Sequence, residues 1–177
     1  SSVVALLTVL SYVVVYTPMK LKSSLSTIVG AVPGALPPLI GWAAATDSLS
    51  LGGWSLFGIV FLWQMPHFLA IAWMYRDEYA QAGFVMLRRD DLSGCATAMQ
   101  SLLYTVALIV ITLVPFHAGM NNSVYLGGAL LLDGVMLLYA VQFLIDQKIA
   151  QEHDKNLVFK KEDAQTLMDT IRTYLGE

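Results

Sequence analysis

Apolar residues fill five long stretches of this chain, separated by short polar breaks, before the pattern gives way to mixed charge. The stretches run over about 2–18, 26–45, 53–75, 97–116 and 123–145. Crossing a hydrocarbon layer about 30 Å thick at about 1.5 Å per residue takes about 20 mostly apolar residues. Each stretch is therefore read as a membrane-spanning helix, the first of them short. The second lies in a charge-free run from Ser23 to Thr46, and the third in another from Ser48 to Tyr75. Pro33, Pro37, Pro38 and Pro66 fall inside these spans, which membrane helices tolerate where neighbours satisfy the freed carbonyls. Gly119-Met120-Asn121-Asn122 reads as the turn between the last two spans. The pattern predicts an all-α, polytopic transmembrane helix bundle over residues 1–146. A charged tail follows over 147–177, where Leu167, Met168, Ile171 and Leu175 fit one stripe of an amphipathic helix.

Composition sharpens this. The 177 residues are 56% hydrophobic and 13% charged, with a mean hydropathy of +0.63, against about a quarter charged in an ordinary soluble domain. A disordered chain, a nucleic-acid binder with a basic face and a typical cytosolic globule are excluded; the lipid bilayer is the expected surrounding. More than half of the charged side chains lie from Asp146 onward. Alternation of five spans puts residues 17–25, 76–94 and the tail on one side, and residues 46–52 and 117–122 on the other. All ten Lys and Arg residues fall in the first set, which the positive-inside rule makes cytoplasmic. The single cysteine, Cys95, makes no intrachain disulfide and no Cys-based metal site. The chain opens in an apolar run without a basic leader, and so reads as starting inside a helix rather than at a signal peptide.

The densest polar feature in the membrane-embedded part is the loop from Tyr75 to Asp91. Its first half reads as a helical extension, with Tyr75 and Tyr79 one turn apart and Gly83 placed to stop it. Arg76 offers a forked, permanently charged group suited to phosphate oxygens. Asp77 or Glu78 could hold Mg²⁺, which prefers a carboxylate or two plus substrate phosphates. Adjacent on a helix, the two diverge by about 100° and cannot both face one ion squarely. A solvated membrane-edge loop that fixes orientation would carry the same residues. Lys20 and Lys22 could neutralise an anionic head group, or could snorkel and set topology. His67, nine residues before Arg76, lies about 13 Å along the axis from it and hence within the hydrocarbon. It either bonds a carbonyl freed by Pro66, near Leu62, or meets a substrate between helices, a haem iron being one option. Asp133 is a second intramembrane ionisable group with no evident partner in the sequence. Trp42, Trp54, Tyr75, His117 and Tyr125 read as interfacial anchors.

Two blocks carry a resemblance. Tyr16-Thr-Pro-Met-Lys20 through Gly30-Ala-Val-Pro-Gly-Ala-Leu-Pro-Pro-Leu-Ile-Gly41-Trp42, and Leu62-Trp-Gln-Met-Pro-His67 through Tyr75-Arg-Asp-Glu-Tyr79 to Leu87, resemble signatures of the protohaem IX farnesyltransferases (haem O synthases), a branch of the UbiA prenyltransferase superfamily. The resemblance covers most of the chain, weakly over 93–146. It implies a bundle of about nine helices around a cavity open to the membrane, of which about five are present here. It implies farnesyl diphosphate and haem B as substrates, haem O as product, a functional link to terminal oxidase assembly, and Mg²⁺ held with diphosphate by two acidic motifs on the cytoplasmic face. The location implied is the bacterial plasma membrane, or the mitochondrial inner membrane in a eukaryote.

By position and by its Arg-acid-acid-Tyr pattern, the 75–83 loop matches the second of those motifs. The implied roles put Asp77 and Glu78 at the metal, and Arg76, Lys20 and Lys22 at the departing diphosphate. Trp63 and Tyr79 become apolar walls around the allylic cation, and His67 orients the porphyrin. Several departures stand beside these. The first, Asn/Asp-rich motif is expected upstream of the first span. Leu21 stands where many members have a basic residue, and Ser26 where Asn is common. The last family helix is replaced by the charged tail, so the chain reads as a central and C-terminal portion cut at both ends. Relatives with another aromatic acceptor usually carry Asp-x-x-x-Asp in this loop, whereas Gln81 stands four residues after Asp77 here. A non-catalytic membrane fragment is the remaining alternative; the internal symmetry of a transporter is not found.

Overall fold

The computed structural model describes residues 6, 9–19, 21, 23–88 and 90–175, with the side chains of 11, 12, 15 and 156–175 left aside. Lys20, Lys22 and part of the first expected span therefore lie outside the described residues, as do the side chains of the tail's apolar stripe. What is described of the first span is a π-helical turn, Ser11–Tyr16, running into Thr17–Met19. Six helices follow: α1 (Ser26–Thr46), α2 (Leu51–Met74), α3 (Arg76–Gln81), α4 (Cys95–Thr112), α5 (Val114–His117) and α6 (Ser123–Leu175). Among the described residues four helices are long and apolar enough to cross a membrane, α4 and α5 counting as one. They pack in chain order, α1 on α2, α2 on α4 and α4 on α6.

Small residues let these helices approach closely, the usual basis of packing in lipid. A Cβ on Gly34 in α1 would run into the Gln64 amide of α2. That amide is buried and donates to the carbonyls of Ala31, at 3.4 Å, and Val60, at 3.0 Å. At the α1–α2 turn the Trp42 indole donates to Ser50 Oγ at 2.8 Å and lies on Gly52 and Gly53, where any side chain would strike it. Asp47 ends α1 in the left-handed conformation, φ 50°. Gly58 meets Ile111 on α4 in the same way, and the apolar core gathers Ala31, Ala35, Met65, Ala72, Ala98 and Leu108 between these helices.

Two boundaries differ from the sequence expectation for physical reasons. The span expected over 97–116 begins at Cys95 and breaks at Leu113, because Pro115 lacks the N–H that the Ile111 carbonyl would accept. Asp91 anchors its start from outside the helix, accepting the N–H groups of Ala96 at 3.1 Å and Thr97 at 2.7 Å and the Thr97 hydroxyl at 2.5 Å. The last span was expected to end near Ile145, but α6 continues through Leu175 as one helix of 53 residues, about 80 Å long. Gln142 donates to Asp146 at 2.8 Å across the junction, and the Gln-, Lys- and Glu-rich sequence beyond it favours helix.

Candidate functional site

The polar loop is built on the end of α2. Tyr75 interrupts the helix at φ −106°, ψ 28°, yet Tyr75 N–H still bonds Ile71 O and Tyr79 N–H bonds Tyr75 O, both at 3.0 Å. Between these two bonds the helical ladder is interrupted, and α3 starts as a separate turn after Tyr75. Gly83, at φ +76°, ends the turn, and Phe84 N–H returns to Tyr79 O at 2.9 Å. Arg76 donates from Nη1 to Trp73 O at 3.3 Å, and its guanidinium carbon lies 4.6 Å from the centre of the Trp73 ring. Its contact with Asp77 is long, 3.9 Å, between exposed groups, so it contributes little. Arg76 and half-buried Tyr79 line one cavity of about 290 Å³ with Gly83, Phe84 and Met86. Farther along, Arg88 grips Asp90 bidentately at 3.1 and 2.6 Å. That hydrogen-bonded pair holds the Asp90 carboxyl below the usual carboxylate range and raises Arg88, on a fully exposed surface.

Trp63 and His67 stack one turn apart on α2, ring centres 5.4 Å apart and planes 12° apart, with Phe68 tilted 5.8 Å from the imidazole. Both line a cavity of about 300 Å³ with Pro66, Ser101, Tyr139 and Phe143. Trp63 and Met136 also line a larger cavity of about 710 Å³, floored by Leu108 and Thr112 of α4 and walled by Ser55 of α2 and Asp133 of α6. The two form one groove between α2 and α6, with α4 at its base. Asp133, 5% exposed, meets the Thr112 hydroxyl with Oδ2 at 2.6 Å, closer than the Ile109 carbonyl that the same hydroxyl reaches at 2.9 Å, and Tyr125 donates to Thr112 O at 3.0 Å. Thr112 is thus the partner for Asp133 that sequence reading did not find. It lies 21 residues earlier, and only helix pairing connects the two. Tyr125 carries a specific bond beyond the anchoring role read from sequence.

The predicted site residues divide between two faces of α2. Arg76 and Tyr79 continue the row of Ala72, whereas Trp63 and His67 face the opposite way into the groove. Trp63 and Tyr79 therefore line different cavities. Asp77 and Glu78 lie on α3, beyond the interruption at Tyr75, and line neither of the two groove cavities. Both carboxylates are exposed at the membrane edge. Among the described residues no three His, Cys, Asp or Glu side chains converge as a ready metal cage. A pair of rim carboxylates still fits Mg²⁺, which completes its shell with water and phosphate oxygens. Sequence reading also missed the Ser26 and Thr27 hydroxyls, buried at the start of α1 with no partner among the described residues.

Comparison with known proteins decides the family. A model described as the UbiA prenyltransferase family matches residues 1–160. The chain belongs to the UbiA prenyltransferase family. Among similar UbiA proteins, the Protoheme IX farnesyltransferase of Solibacter usitatus is 52% identical over 133 residues, covering 75% of this chain and 45% of the relative. The protein of the same name from Myxococcus xanthus is 50% identical over 134 residues, covering 75% and 45%. That from Koribacter versatilis is 38% identical over 175 residues, covering 99% and 55%. The chain thus spans about half the length of the curated relatives it matches. No solved structure matches it. Family and spans together make this UbiA chain an integral membrane protein.

Proposed function

We propose that this chain forms part of a membrane enzyme that moves farnesyl from farnesyl diphosphate onto a vinyl group of haem B, giving haem O. The observation that carries the reading is the stacked Trp63–His67 pair on the wall of an apolar groove, with the exposed carboxylates of Asp77 and Glu78 just beyond the end of the same helix. A flat porphyrin suits stacked rings, and an isoprenoid suits apolar walls. The names of the relatives support the same substrates.

In this reaction the bond between the allylic carbon and the diphosphate oxygen breaks, and diphosphate leaves with the electron pair. The terminal vinyl carbon of haem B bonds the allylic carbon, and water adds to the carbon next to the ring, releasing a proton and leaving a hydroxyl. His67 orients the porphyrin and Trp63 shields the developing cation. Asp77, with Glu78 beside it, would hold Mg²⁺, which when bound supplies positive charge to the diphosphate oxygens. Arg76, Lys20 and Lys22 add cationic charge at the same membrane edge, and Tyr79 walls the cavity beneath the loop. The ten-to-none distribution of Lys and Arg supports a cytoplasmic side for these loops; the spans would lie in the bacterial plasma membrane, or the mitochondrial inner membrane in a eukaryote. The product would feed terminal oxidase assembly. Gln81, four residues after Asp77, favours haem over another aromatic acceptor.

The test is a chimera in which this chain replaces the matching half of the Solibacter usitatus relative, expressed in a host lacking haem O synthesis. Recovery of haem O in extracted membranes is expected. A chimera that inserts and binds haem but yields only an isoprenoid-modified quinone precursor would overturn the haem assignment.

A further inference from the structure

The groove holds a carboxyl side chain that this reaction does not use. Asp133 lies ten residues into α6 from Ser123, about 15 Å along the axis and so near mid-bilayer. It is 5% exposed and lines the 710 Å³ cavity. Its Oδ2 is fixed by Thr112 at 2.6 Å, and Thr112 is held in turn through its carbonyl by Tyr125 at 3.0 Å. Among the described residues Oδ1 receives no hydrogen bond. A carboxyl oriented this firmly, with one oxygen free beside an apolar cavity, is an acceptor waiting for a donor, because an unmet polar group at that depth is costly.

Such a donor must arrive on a molecule that is otherwise apolar. Farnesyl carries none. The polar groups of haem B are its propionates, which in their charged form accept rather than donate and are drawn to the polar rim. The proposed reaction creates a single neutral hydroxyl next to the porphyrin ring and releases the diphosphate that tied the isoprenoid to the rim. We infer that Asp133 is a product-recognition residue: it accepts the new hydroxyl as the prenylated haem settles past Trp63 into the deeper cavity, with Thr112 as its positioning residue. This rests on the haem reading above. It names a subsite on the far side of Trp63 from the rim carboxylates, one that separates product from substrate by a hydrogen bond rather than by size.

The experiment titrates the detergent-solubilised chain with haem B and with haem O, followed by Soret absorbance. In Asp133→Leu, haem O affinity is expected to fall about threefold to tenfold, the range for one neutral hydrogen bond, while haem B affinity stays unchanged. Asp133→Asn keeps a carbonyl oxygen and should recover part of the difference, which guards against a fold defect in the leucine variant. Equal loss for both haems, or no loss for haem O in either variant, overturns product recognition and leaves the haem reading standing. Binding of neither haem by the unaltered chain or by the chimera described above overturns both.

Discussion

The indole of Trp73, at the end of α2, fills the space that a side chain at Gly94 would need, and Gly94 itself sits at φ +75°. The same indole carries the Arg76 guanidinium, 4.6 Å from its ring centre. One aromatic ring thus ties the rim of the candidate site to the first turn of α4. Gly94→Ala meets both a left-handed backbone and the Trp73 ring. We expect it to cost about 1–3 kcal/mol, read as a lower denaturant midpoint in mixed micelles. A midpoint equal to that of the unaltered chain would show that Trp73 can move aside freely.

The bond between Thr112 and Asp133 makes a sharper energetic prediction. Thr112→Val keeps the shape but leaves a buried carboxyl oxygen without its donor, at about 1–3 kcal/mol. In an Asp133→Leu background that orphan no longer exists, so the same change should cost far less. A double-mutant cycle in micelles measures the coupling. Additive losses would mean that the two side chains are not bonded in the folded protein.

Much of this architecture was legible in the sequence, because span length and charge placement are local properties. Pro33, Pro37 and Pro38 did not hide α1, since a lipid-facing helix keeps its remaining bonds. The end of α6 was not legible: apolar residues stop near Ile145 while helix-forming ones continue, and hydropathy reports the first change only. Asp77 and Glu78 stood out in the sequence as part of its densest polar loop, and His67 as an imidazole within the hydrocarbon. The division of Arg76 and Tyr79 from Trp63 and His67 did not, because it depends on how the backbone turns at Tyr75. Thr112 was invisible as a partner of Asp133, as was Gln64 against Gly34, since both arise from helix pairing rather than spacing.

The Arg88–Asp90 pair gives a pH prediction whose sign follows from Asp90. Its carboxyl is depressed by the guanidinium hydrogen bonds, so the contribution is present above the ordinary carboxylate range and fades as pH falls through the lowered value. Limited proteolysis in the 84–91 loop should therefore be flat from neutral pH to mildly acidic conditions and rise only in strong acid. In Asp90→Asn the same cleavage should already be fast at neutral pH. Because both groups are fully exposed, the effect belongs to the loop and should leave global unfolding unmoved.

Asp77 is the carboxylate proposed to hold Mg²⁺, with Glu78 beside it and both exposed. In the active chimera Asp77→Ala is expected to lower the prenyl-transfer rate about a hundredfold or more, the scale of losing one electrostatic contact to a departing oxyanion. Glu78→Ala should lower it less, and raising Mg²⁺ should rescue Glu78→Ala before Asp77→Ala. Changing both to Ala with haem O production intact would remove the carboxylates from the mechanism altogether.

Orientation is the remaining physical commitment, since a charged isoprenoid head made in the cytoplasm can dock only on that side. With Cys95 replaced by Ser, single cysteines at Gln81 and at Asn121 report the two loop sets. A membrane-impermeant maleimide added to intact cells should label Asn121→Cys and spare Gln81→Cys, and inverted vesicles should reverse the result. Both positions are exposed at helix ends, so a missing signal cannot be blamed on burial. Labelling of Gln81→Cys from outside would turn the rim carboxylates away from their donor, although every helix contact described above would remain as it is.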